Sequence, residues 1–232
     1  NAYNETSNPS DYIEMHDNEQ PSRLDRIGAT FFRDKIVLDF GCGGGAFLDL
    51  VSGLSRETLG IEPFSGYHES LIDRGHEMFS NMETAQSKYK DKVDSIVSFC
   101  VLEHVQNPQQ YLKDACSLLK KSGKMYLETD NIHNILMKFN INSFDEFFYR
   151  TAHLYYFEDK TLRKMAEQAG FSDIRISFRH NYDMSNVMLW LRDNKPTGNG
   201  KLDFLSNGVD QNWIEFVESS GLADLVCIEM TK

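Results

Sequence analysis

Apolar positions in this chain alternate between short continuous runs and sets spaced three and four apart, the patterns of buried strands and of helices packed on one face. Ile36-Val37-Leu38 is a continuous run that predicts a strand buried on both sides, and it leads through a cluster of glycines into Ala46 to Val51, which suit a helix. The alternation then repeats. Leu59-Gly60-Ile61-Glu62 predicts a second strand, Ser65 to Gly75 a crossover helix closed by its glycine, and His76 to Phe79 a short third strand. Val93 to Ser98 predicts a fourth. Asn107-Pro108 suit the cap and first residue of a helix with Leu112, Ala115, Cys116 and Leu119 on one face, and after Gly123 a fifth strand covers Lys124 to Thr129.

Beyond the fifth strand the simple alternation stops. Ile132, Ile135, Leu136 and Phe139 share one helical face and Phe144, Phe147 and Phe148 another, which predicts two short helices over the carboxyl ends of the strands, their aromatics engaged in packing rather than recognition. A helix carrying Leu162, Met165, Ala166 and Ala169 stops at Gly170, and a sixth strand covers Phe171 to Phe178. A helix around Asn186 to Arg192, a turn-rich link over 194–200, a helix with Trp213, Phe216, Val217 and Ser220 on one face, and a last strand from Ala223 to Met230 complete the chain. At the other end, residues 3–20 are polar and predict a mobile arm, and Leu24, Ile27 and Phe31 predict a helix from Pro21 to Phe32.

Strands alternating with helices imply an α/β fold, and 232 residues with 41% hydrophobic content suffice for one full core. The expected division is an arm and helix over 1–34, then one domain over 35–232 with a helical insertion at about 131–158. A formal charge of −11 without any Lys/Arg run argues against a nucleic-acid partner. No stretch is apolar for long enough to span a bilayer, and the four cysteines lack zinc spacing, so the expectation is a soluble cytoplasmic protein with reduced thiols and no membrane partner. Whether it is a monomer or a homodimer is left open.

The candidate chemistry starts at the glycines. Gly41, Gly43 and Gly45 permit a close approach of ligand to a helix N-terminus, and Gly41 to Ala46 also satisfies the G-x-G-x-x-A dinucleotide pattern. Asp39 separates the two ligand classes, because a carboxylate two residues before the first glycine repels a pyrophosphate but suits a ligand bearing ammonium and sulfonium charges. Glu62 ends the second strand 23 residues after Asp39 (62 minus 39), near the offset at which such sites place a carboxylate on the two ribose hydroxyls.

Val37 to Gly45 has the form V-L-D-x-G-C-G-x-G and so resembles the first motif of the class I methyltransferases, and Val93 to Pro108 resembles the F-D-x-I-x-x-x-x-V-L-E-H-V-x-x-P run of their small-molecule members. The resemblance implies S-adenosylmethionine as cofactor, S-adenosylhomocysteine as product, and a seven-stranded Rossmann-like sheet, mostly parallel, whose last strand returns antiparallel between the fifth and sixth. It places Asp39, Phe40, Gly41, Cys42, Gly43 and Gly45 around the cofactor, with Glu62 and Pro63 at the ribose, Asn81 and Met82 at the adenine, and Phe99 and Cys100 beside the methionine part. In many such proteins the N-terminal segment folds over the cofactor, here the stretch with Tyr12, Ile13, Met15 and His16. Arg23, Arg26 or Arg33 would then be near the cofactor carboxylate, although a solvated helix face is the better expectation for each.

Glu103 and His104 match the end of the E-x-x-E-H run that holds a divalent cation in quinone-type O-methyltransferases, but the first position is Cys100, so no tightly held metal is expected. His104 is a candidate general base. Its alternative role, with Glu103, is to cap the following helix and pin the loop. His153, in the pattern H-x-x-x-F, is the second candidate base, or a structural imidazole. The expected activity is O-methylation of a small polar acceptor. Tyr182 to Asn186, Trp190-Leu191 and Lys195-Pro196 resemble the tails of methyltransferases of sugar and surface-polysaccharide biosynthesis. The alternatives are a catalytically silent cofactor-binding module and an NAD-dependent oxidoreductase.

Overall fold

The computed structural model describes residues 8–196, 200–205 and 208–232; residues 3–7 of the expected arm and 197–199 of the expected link lie outside it. The described part of the arm is not irregular. Asn8 accepts a hydrogen bond from the amide of Ser10 and caps α1 (Pro9–His16), which leads through a single 3-10 turn into α2 (Gln20–Ile27), stopped at Gly28. The alternation then runs β1 (Ile36–Phe40), α3 (Ala46–Ser52), β2 (Glu57–Ile61), α4 (His68–Asp73), β3 (Glu77–Phe79), α5 (Met82–Tyr89), β4 (Val93–Phe99), α6 (Pro108–Leu118) and β5 (Leu119–Asp130). After β5 come a 3-10 turn (Ile135–Phe139), α7 (Asn142–Phe148), α8 (Asp159–Ala169), β6 (Ser172–Arg179), α9 (Met184–Asp193), α10 (Val209–Ser219) and β7 (Leu225–Thr231).

The seven strands form one sheet in the order β3-β2-β1-β4-β5-β7-β6. All neighbours are parallel except β7, which runs antiparallel to both β5 and β6, as the class I resemblance implies. The helix expected from Pro21 to Phe32 breaks at Gly28 into α2 and a 3-10 turn over Ala29–Phe31, the first expected insertion helix is only a 3-10 turn, and α5 and the start of β5 also differ from expectation. Helix α5 has only Ala85 and Tyr89 buried, too sparse an apolar stripe for the pattern to announce it, and Asn81 caps it by accepting from the Thr84 amide. Leu119, assigned to the face of α6, is instead the first residue of β5 and pairs with Val93, since α6 ends as the backbone turns extended at that residue.

Both faces of the sheet are covered. Leu38, Leu59, Ile96 and Leu127 pack under α5, α6 and α8, and Val37, Val97 and Tyr126 pack with Phe31, Phe32 and Phe47 on the other side. A third cluster joins Ile135, Leu136, Phe144 and Phe148 of the insertion to Val187 and Trp190 of α9, so these aromatics pack, whereas Phe139, expected on the same face as Ile135, is 47% exposed at the end of the 3-10 turn. Among the described residues no helix is long and apolar enough to cross a membrane.

Candidate active site

The site forms at the carboxyl ends of β1, β2, β4 and β5. The turn after β1 holds Gly41, Gly43 and Gly45 at φ of +82°, +51° and +87°, the left-handed region that glycine enters without steric cost. Space matters as well at Gly43, where an added Cβ would collide with the Tyr12 ring. Helix α1 therefore lies on the glycine turn. Its Tyr12 ring sits 4.4 Å from that of His16 and 5.5 Å from that of Tyr67, and it packs with Cys42, Leu48, Phe64 and Leu71.

Two carboxylates face this turn. Asp39 is 2% exposed, its Oδ1 has no hydrogen-bond partner, and burial pushes its pKa up to about 7, with the positive charge of Arg23 opposing and Glu62 adding to the rise. Glu62 is also buried and raised by desolvation, but it is held: its Oε2 accepts from the Gly43 amide at 3.0 Å and its Oε1 from the Phe64 amide at 2.8 Å. Those bonds aim both oxygens across the turn while leaving further lone pairs for a diol. On the neighbouring strand Phe40 stacks on Tyr111 at 4.2 Å.

On the far side of β4 the chain turns through Cys100, whose φ is +55° and whose amide donates to the Glu128 carbonyl. Burial raises its thiol well above the ordinary value. Glu103 is buried and does not cap a helix; its Oε2 accepts from the Thr129 hydroxyl at 2.7 Å, and burial, with the Asp130 carboxylate adding, raises it to about 7. The Glu103 carbonyl accepts from the amides of Leu154 and Tyr155, and His104 Nδ1 donates to the Ala152 carbonyl at 2.9 Å. The loop after β4 and the end of the insertion are thus joined by backbone bonds. His153 Nδ1 stands 2.8 Å from Asp130 Oδ2, close enough for an ionic contact although off the line of a regular hydrogen bond, and the rings of His104 and His153 are 4.8 Å apart. With both Nδ1 atoms facing oxygen, each histidine has its Nε2 lone pair to offer.

Between the two halves lies a buried ion cluster. Arg23 Nε and an Arg179 terminal nitrogen both donate to Glu128 Oε2, at 3.0 and 2.9 Å, and the Arg23 guanidinium covers the Phe99 ring at 4.3 Å. The solvated face expected for Arg23 is incorrect. It is 6% exposed because α2 packs that residue inward onto the end of β5. Arg26 pairs with Glu218, and Arg33 is exposed.

The methyltransferase-domain family model matches residues 13–176, well over half of the chain. The chain belongs to that family. Ubiquinone biosynthesis O-methyltransferase of Yersinia enterocolitica is 31% identical over 125 residues, covering 48% of this chain and 50% of that protein, and the Escherichia coli protein of the same name is 30% identical over 46% and 47%. The chain thus spans about half the length of the curated relatives it matches. A methyltransferase from Archaeoglobus fulgidus superposes with a TM-score of 0.64 at 21% identity, over 95% of this chain and 94% of the other. A possible histamine N-methyltransferase from Thermotoga maritima gives 0.63 at 17%, over 96% and 95%. These likenesses show the class I fold of S-adenosylmethionine-dependent methyltransferases.

Within that methyltransferase fold, the structure brings Asp39, Phe40, Gly41, Cys42, Gly43, Gly45 and Glu62 together around one turn, with Phe99 and Cys100 at the end of the adjacent strand β4. Pro63 and Asn81 are exposed on the rim beside half-buried Met82, and the Asn81 side-chain oxygen is already engaged as the cap of α5. His104 and His153 meet, as the motif places them. Sequence reasoning missed Asp130 and Thr129, which hold His153 and Glu103, and it missed Arg179. Asp130 had a readable signal, an acid closing the strand next to the E-H pair; Arg179 had none. The expectation of no tightly held metal rested on Cys100, a half-buried thiol where the run has a carboxylate, and a thiol is a poor ligand for a hard cation. Yet Glu103, His104 and His153 each offer a donor atom within 4.8 Å of the others, a set that suits a divalent ion of nitrogen-binding type.

Proposed function

We propose that the chain is an S-adenosylmethionine-dependent methyltransferase acting on a hydroxyl oxygen of a small polar acceptor. The observation that supports this most is the pair of imidazoles whose rings meet at 4.8 Å, each with an oxygen at Nδ1 so that Nε2 carries a lone pair. In this reading Glu62 accepts the ribose hydroxyls, Asp39 faces the ligand's positive charge, and Arg23 lies toward its carboxylate. The acceptor oxygen attacks the methyl carbon, the carbon–sulfur bond breaks to leave S-adenosylhomocysteine, and the hydroxyl proton passes to His153 Nε2. His153 is preferred over His104 because its side chain is 9% exposed and set by Asp130, whereas that of His104 is open to solvent. A sulfonium is already a good electrophile, so the remaining work is alignment and exclusion of water, which the insertion and α1 supply.

A hydroxyl acceptor agrees with the O-methyltransferase relatives. Nothing in their names points to a sugar, so the proposed acceptor class is a small polar hydroxyl compound without that restriction. The test replaces each histidine by Ala and compares turnover with the binding of S-adenosylhomocysteine. His153→Ala should lower kcat by about 10²- to 10⁴-fold with cofactor affinity unchanged, and His104→Ala should lower it much less. If neither changes kcat by more than a few-fold, the acceptor needs no base and an amine acceptor replaces the hydroxyl.

A further inference from the structure

We infer that Arg74 is a positioning residue for the cofactor site, holding the glycine turn in its binding shape before the ligand arrives. The inference rests on the reading that this turn holds S-adenosylmethionine. Glycine at 41, 43 and 45 lets the chain enter the left-handed region, and the same freedom leaves the turn loose unless something outside it keeps it in place. Glycine gives up more backbone freedom on ordering than any other residue. A turn that orders only as the ligand binds subtracts that entropy from the affinity, whereas a turn ordered beforehand does not.

The hold comes from behind the turn. Arg74 closes α4, and its guanidinium reaches three partners at once: Nη2 donates to the Gly44 carbonyl at 2.6 Å, Nη1 to the Asp49 carboxylate, and Nε to the Ser70 carbonyl at 3.1 Å. The planar group is thereby fixed in direction as well as in place. Asp49, on α3, is tied to the same turn through its backbone, its amide donating to the Gly45 carbonyl at 2.9 Å. Its other carboxylate oxygen accepts from His76 Nε2 at 2.9 Å, and His76 Nδ1 then accepts the Thr58 hydroxyl at 2.8 Å. The His76 side chain is only 1% exposed, so this end of the chain is anchored inside the protein. An unbroken series of hydrogen bonds thus runs from Thr58 on β2 through His76, Asp49 and Arg74 to Gly44.

On the opposite side the Gly43 amide donates to Glu62, at the end of β2. Gly43, Gly44 and Gly45 are therefore each fastened from a different part of the fold, and of the three holds the Arg74 bond is the one made by a flexible side chain across 30 residues. Arg74 also lines an open groove of about 630 Å³, together with Thr58, His76 and Glu77. Truncating its side chain would leave a space that a small planar cation can enter from solvent.

The experiment measures S-adenosylhomocysteine binding by calorimetry on the full chain, and hydrogen exchange on the same chain without ligand. Arg74→Ala should bind about tenfold more weakly, near the lower end of what one hydrogen bond to a charged group is worth. Before ligand is added, the segment 41–46 of that variant should exchange faster, with β1 and β4 unchanged. Millimolar guanidinium should restore most of the affinity, and methylammonium, a compact cation without the planar donor array, should not. Asp49→Asn should weaken binding in the parent and add little on top of Arg74→Ala, because its charge acts on the turn through that arginine. Binding by Arg74→Ala as tight as the parent's would overturn the role. A loss that guanidinium does not relieve, or faster exchange throughout the sheet, would overturn it as well, since the arginine would then be supporting the fold at large. A parent that fails to bind S-adenosylhomocysteine would remove the cofactor reading and this role with it, whereas parent binding that Arg74→Ala leaves unchanged removes this role alone.

Discussion

Replacing Asp39 by Asn removes a single charge from the cofactor-free protein while keeping shape and volume, and the surroundings of this side chain set the size of the effect. Asp39 is buried with an unpartnered oxygen, and its pKa rises from an ordinary 3.8 to about 7. For an acid whose folded pKa is raised, the stabilisation is complete below the unfolded value and is lost as pH climbs through the folded one. Between pH 5 and pH 8 this one group should therefore remove about 2.5 kcal/mol of stability. For a chain of this length that is a fall in Tm of about 5 to 10 °C. Asp39→Asn lacks the ionisation, so thermal unfolding followed by circular dichroism without cofactor should show the variant clearly more stable than the parent at pH 8, with the gap shrinking toward pH 5. The same substitution should weaken S-adenosylhomocysteine binding, without any gain of affinity for NAD. Parallel stability curves for the two proteins across that range would refute the reasoning, since the carboxylate would then be carrying no buried charge.

Glu62→Ala should weaken S-adenosylhomocysteine binding by about 1.5 to 3 kcal/mol, the scale of hydrogen bonds to a charged group, as measured by calorimetry. Arg23→Met breaks one of two arginine contacts to fully buried Glu128 and should cost about 2 to 4 kcal/mol in denaturant unfolding, less than complete isolation of that carboxylate because Arg179 remains. Gly43→Ala places a methyl against the Tyr12 ring at a positive φ, so it should loosen α1 and raise its rate of proteolytic cleavage while the sheet stays protected.

Most of the sheet was legible because parallel strands buried on both faces leave continuous apolar runs, and the run from Ile36 onward located the turn that the site is built on. Helix α1 escaped because its polar sequence offers few apolar anchors, and the one that seats it, the Tyr12 ring on Gly43, is a contact made across 31 residues (43 minus 12) that no local pattern records. Arg23 escaped for a related reason. On a helix as polar as α2 an arginine looks solvated until its partner is known, and the partner, Glu128, is 105 residues away. At the acceptor side the motif named both histidines, but their orientation depends on Asp130 and on the Ala152 carbonyl, which become neighbours only after the insertion folds back.

If the glycine turn holds the cofactor as proposed, Tyr12 and the incoming ligand would compete for the surface of Gly43, with a temporal consequence. Entry would then wait for α1 to lift, and the observed association rate should level off at high ligand concentration at the opening rate of the helix instead of rising in proportion. Since α1 leads through a single turn into α2, which carries Arg23 against Phe99, a helix that lifts from Gly43 would also pull on the Arg23 contact, so the two ends of the site should loosen together.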